Sequence, residues 1–143
     1  MINASSCLTK AKNEKQNEYI FKVAEWSADE VEGIFVDVAD VTKNGLEVWV
    51  HNKSVNDILP SYGAKPQIWR NDTWYEVYPT ETKECAEIGK HYDVIYAGAS
   101  EVIHIELHEL SEYPLGEYRL ALYYFASLES RKPNSTWVYF TLD

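Results

Sequence analysis

Apolar and polar side chains alternate strictly through most of the chain after residue 18, and that period of two admits strands and excludes amphipathic helices. Ile34, Val36 and Val38 alternate with Phe35, Asp37 and Ala39, while Leu46, Val48 and Val50 alternate with Glu47, Trp49 and His51. Lys43-Asn44-Gly45 lies between the two runs. Asn-Gly in that place is a strong hairpin signal, because both turn positions then take positive φ. Ile68-Trp69-Arg70 and Trp74-Tyr75-Glu76-Val77-Tyr78 bracket Asn71-Asp72-Thr73 as a second hairpin, which Pro79 ends. Further strands are expected over residues 19–24, 92–97, 102–108, 116–125 and 136–142, with 52–62 and 80–91 as loops. Ser27-Ala28-Asp29-Glu30 caps at most one helical turn before Gly33.

The run Gly116-Glu117-Tyr118-Arg119-Leu120-Ala121-Leu122-Tyr123-Tyr124-Phe125 is expected to be a central strand with Tyr118, Leu120, Leu122 and Tyr124 on one face. A Tyr two residues past a turn glycine is the arrangement of a tyrosine corner, in which the phenol bonds back to the loop it has just left. Gly116 and Tyr118 are therefore structural candidates. Seven to eight short antiparallel strands, separated by turn signals, predict an all-β immunoglobulin-like Greek-key β-sandwich, with an open barrel as the alternative. A chain of 143 residues fits one domain, with residues 1–18 as a polar flexible leader and 19–143 as the sandwich. Eleven Tyr and five Trp suit a pleated, half-buried surface.

A net charge of −10 argues against a nucleic-acid backbone or an anionic membrane surface as partner. The acidic residues are dispersed, which favours solubility over mimicry of nucleic-acid charge. Cys7 and Cys85 permit one bridge at most, and no apolar run has the length of a membrane span. Ser5-Ser6-Cys7 matches the small-small-Cys ending of a lipoprotein signal and offers a lipid-anchor site at Cys7.

Candidate chemistry is sparse. His104, Glu106 and His108 share one strand face, but residues four apart on a strand lie roughly 13 Å apart, too far to share one ion. Cys85 and His91 are the nearest nucleophile–base pair and have no evident orienting partner. Asn3, Asn52, Asn71 and Asn134 each satisfy the N-glycosylation acceptor pattern, which in these places is also ordinary turn chemistry. No metal, cofactor or enzymatic activity is expected.

The aromatic surplus is the more informative feature. If Leu120 and Leu122 face the core, Arg119 and Tyr123 face out; if Val138, Phe140 and Leu142 also face in, Trp137 and Tyr139 lie outside with them. Trp69, Trp74 or Tyr75 would extend the stripe across the neighbouring hairpin. Such a connected patch suits a protein partner, a glycan or a second copy in a weak homo-dimer. The competing arrangements place the arm over residues 19–26 across that face, or the Trp side chains in the core.

Four segments carry a resemblance: Leu46-Glu47-Val48-Trp49-Val50-His51-Asn52-Lys53-Ser54, then Tyr62-Gly63, then Trp74-Tyr75-Glu76-Val77, then Pro114-Leu115-Gly116-Glu117-Tyr118-Arg119-Leu120. In order and spacing, residues 34–142 resemble the bacterial immunoglobulin-like domains of secreted proteins and lipoproteins of Gram-positive bacteria. Asp72-Thr73, Leu115 and the long 80–91 loop depart from that pattern. The resemblance implies an extracytoplasmic β-sandwich and supplies no catalytic residue. The expected function is a non-catalytic binding or structural module at the cell envelope. The alternatives are a carbohydrate-binding module and an acidic inhibitor of a basic target.

Overall fold

The computed structural model describes residues 19–24, 30–63, 65–79 and 92–143. Cys7, Cys85, His91, the 80–91 loop and the turn at Ser27 lie outside them, as do the whole 1–18 leader and Trp26. The described residues form nine strands, where seven or eight were expected. They are β1 Tyr19–Val23, β2 Ile34–Thr42, β3 Gly45–Asn52, β4 Leu59–Gly63, β5 Gln67–Arg70, β6 Thr73–Pro79, β7 Ser100–Glu106, β8 Gly116–Phe125 and β9 Asn134–Leu142. Among the described residues a single 3₁₀ turn, Leu110–Glu112, precedes β8.

All strand pairs are antiparallel, in a six-stranded sheet and a three-stranded sheet of order β2-β3-β7. β8 organises the larger sheet. β9 runs along one of its edges from Gly116↔Leu142 to Tyr124↔Asn134. β5 and β4 share the other edge, at Tyr118 and Arg119 and at Leu122 to Phe125. β6 and then β1 continue the sheet outward from β5. The arm over residues 19–23 thus adds a strand in the plane of the sheet and does not cover its face.

Alternation puts the core between the sheets. Leu46, Val48, Val50, Ile103 and Ile105 of the small sheet are buried with Ile68, Val77, Tyr118, Leu120, Leu122, Tyr124, Val138 and Phe140 of the large one. Each such aliphatic side chain contributes ~1.5–3 kcal/mol.

Three expectations are corrected. Residues 92–97 do not form a strand; Ile95 makes an isolated bridge to the buried Ile58. Residues 59–63, expected as loop, form β4, because β8 extends beyond β5 and its edge peptide groups need partners. Pro60 is tolerated there at a register shift. The third correction concerns the turns: the pair of positive φ angles belongs to Asn71 (51°) and Asp72 (59°), whereas Asn44 is not among the positive-φ residues. The first hairpin turns on Lys43 and Asn44, with Thr42 paired to Gly45. Gly45 is needed for another reason, since a Cβ there would stand 2.2 Å from the Ile105 carbonyl oxygen.

The Tyr118 hydroxyl donates to the Pro114 carbonyl at 2.5 Å, and the ring stacks on Phe140 at 5.2 Å. Burial raises its pKa well above that of a free phenol. Tyr113 packs edge-on to it, and Tyr19 of β1 meets Tyr113 at 5.2 Å. Asn52 at the end of β3 is 1% exposed. Its amide donates to the carbonyls of Asn56 (2.8 Å) and Ile95 (3.0 Å). Its Oδ1 accepts from the Ser54 N–H (3.0 Å) and hydroxyl (2.6 Å), so the side chain is a structural plug and not an accessible glycan acceptor.

Candidate functional site

Odd-numbered residues of β5, β8 and β9 and even-numbered residues of β6 point away from the core, so the pleat collects Trp69, Trp74, Arg119, Trp137 and Tyr139 on one outer face. Register then sets their neighbours. Trp69 pairs with Trp74, Gln67 with Arg119, Arg119 with Tyr139 and Ala121 with Trp137.

The centre of this face is a stack. The Arg119 guanidinium lies 3.8 Å from the Trp137 ring centroid and 4.3 Å from that of Trp74. Its Nε donates to Gln67 Oε1 at 2.7 Å, and Tyr139 hydrogen-bonds the same side chain. No carboxylate among the described residues forms an ion pair with it. Desolvation lowers its pKa from the usual guanidinium value, although the group remains charged. Each cation–π contact contributes ~0.5–2 kcal/mol and fixes the ring it covers.

Outside the stack, Trp69 meets Trp74 at 5.1 Å with 56° between ring planes, and Trp74 meets Tyr139 at 6.3 Å with 55°. Trp69 is 39% exposed and Tyr139 is 59% exposed. Between these tilted rings runs an open groove of about 440 Å³, with Glu117 and Thr141 at its polar side and Tyr118 and Phe140 below. Glu117 and Thr141 face one another across β8 and β9.

Of the aromatic residues singled out from sequence, the structure brings together Trp69, Trp74, Trp137 and Tyr139. Tyr75 is a correction. It stands opposite buried Ile68 and packs on the core, because it alternates with the outward Trp74. Tyr123 is half-buried opposite Ser135, four residues along β8 from Arg119. Sequence reasoning missed Gln67, Glu117 and Thr141, whose only signal is that they share strand parity with the aromatic residues.

The outer face of the small sheet carries a second, polar constellation. His104 Nδ1 is 2.8 Å from Glu47 Oε1, and its Nε2 is 2.8 Å from Glu106 Oε2. His108 Nδ1 reaches Glu106 Oε1 at 3.7 Å. Among the described residues no group of three His, Cys, Asp or Glu side chains is placed to hold a metal ion. His51 Nδ1 is 2.7 Å from Ser100 Oγ and its Nε2 3.1 Å from Asp37 Oδ2. Those three residue types also make hydrolytic triads, but here the Asp37 side chain is 73% exposed and the trio sits on an open strand face stacked against Trp49. The contacts act as cross-strand ties between β2, β3 and β7.

No family model, no curated protein and no solved structure matches the chain.

Proposed function

We propose that the chain is a non-catalytic immunoglobulin-like module of the cell envelope that acts by binding through the aromatic face of its six-stranded sheet. The carrying observation is the Trp74–Arg119–Trp137 stack, which holds Trp69 and Tyr139 exposed beside an open groove. Rigid Trp, Tyr and Arg side chains of this kind dominate binding energy at interfaces, because little rotamer freedom remains to be lost.

The immunoglobulin-like reading is supported by β2-β3-β7 packing against a sheet centred on β8, and by the Tyr118 bond to the loop before its strand. The extracytoplasmic placement follows from the resemblance of residues 34–142. The test is sedimentation of the purified protein with washed Gram-positive cell-wall preparations. The wild type is expected to co-sediment, and Trp69→Ala/Tyr139→Ala is expected to stay in solution while melting within a few degrees of wild type. Failure of the wild type to co-sediment, or equal retention of the double variant, would refute the proposal.

A further inference from the structure

We infer that the groove between Trp69, Trp74 and Tyr139 is a site for an uncharged oligosaccharide, an assignment that rests on reading the aromatic face as the binding surface. Three tilted rings offer flat apolar faces, while the Glu117 carboxylate and the Thr141 hydroxyl stand exposed at the rim. A pyranose needs that combination: its C–H faces lie on aromatic rings and its hydroxyls bond to a few fixed polar groups. The volume of about 440 Å³ is within the usual range for small-ligand sites, and the groove is open along the sheet, which suits a chain longer than one sugar.

Charge selects the neutral ligand. An anion would meet Glu117 in the groove within the field of a chain carrying −10. A cation seated on Trp74 would share that ring with the Arg119 guanidinium, which already lies 4.3 Å from its centroid, and two like charges that close repel. A polyhydroxylated ring without net charge avoids both penalties. Its hydroxyls donate to Glu117, and the stack keeps Trp74 fixed as sugar rings engage Trp69 and Tyr139.

The test is calorimetric titration with cello-, xylo-, malto- and chitohexaose, alongside oligogalacturonate and choline as charged probes. At least one neutral hexasaccharide is expected to bind, quenching tryptophan emission. Trp69→Ala or Tyr139→Ala is expected to weaken binding about tenfold or more, and Glu117→Ala several-fold, while Trp49→Ala on the other sheet leaves it unchanged. The inference is overturned if none of the neutral probes saturates by about 10 mM. Tighter binding of oligogalacturonate or choline, or indifference to Trp69→Ala, would also overturn it. Cell-wall retention that still depends on Trp69 and Tyr139 while no hexasaccharide binds would leave the face as a protein-binding surface and remove the saccharide alone.

Discussion

Replacing Asn52 with Asp changes one NH₂ group into an oxygen and leaves shape nearly untouched, so its cost isolates the hydrogen-bond pattern of the plug. The amide N–H groups now donate to the carbonyls of Asn56 and Ile95; in the variant a carboxylate oxygen would face both. Neither carbonyl is orphaned, since Asn56 is exposed to water and Ile95 also accepts from the Ile58 N–H. The lost bonds therefore cost about 1 kcal/mol each, near the middle of the net range. The larger cost is a carboxylate at a position 1% exposed, facing two oxygens. Together we expect a loss of about 3–4 kcal/mol at pH 7, a fall in Tm of roughly 10 °C. This carboxyl's folded pKa would be raised above its unfolded value of about 3.9, because burial and facing carbonyls disfavour the charge. The charge penalty is then absent below about pH 4 and grows as pH rises through the folded pKa. Urea denaturation of variant and wild type at each pH measures the difference. A deficit under about 1 kcal/mol at pH 7, or an equal deficit at pH 3.5 and pH 7, would refute this account of the plug.

Four further outcomes follow from the same physics. Tyr118→Phe keeps the stack on Phe140 but removes the bond to the Pro114 carbonyl, and should lower urea stability by about 1–2 kcal/mol without changing the m-value. Burial, with Tyr19 and Glu109 adding smaller effects, pushes the Tyr113 phenol pKa up to about 12, so the stability it contributes is complete below pH ~10 and lost as pH rises toward 12. Tyr113→Phe should flatten that alkaline loss in a melting series, and an unchanged alkaline slope would contradict the assignment. Gly45→Ala should cost about 2–3 kcal/mol because its Cβ meets the Ile105 carbonyl. Gly98→Ala should cost only about 1 kcal/mol, since its strain is a φ of +86° with nothing within 4 Å.

What the sequence determined by itself is which residues share one side of a strand. Alternation is a local property of the pleat, so Leu46, Val48 and Val50 as one set, Leu120 and Leu122 against Arg119, and Val138 against Trp137 and Tyr139 were legible without any partner strand, while packing decided that the Trp137 side of β9 faces away from the core. The corner at Tyr118 was legible for the same reason, its acceptor being four residues away in the chain. Tertiary structure alone decided register. That Trp74 of one hairpin and Trp137 of the last strand clamp the same guanidinium depends on pairings between distant segments, which no local pattern encodes. β4 lacked a legible pattern because its partner, β8, supplies the reason for it to be a strand. Tyr75 and Trp74 shared one aromatic run, and only the register with Ile68 and Trp69 told which belonged to the core and which to the groove.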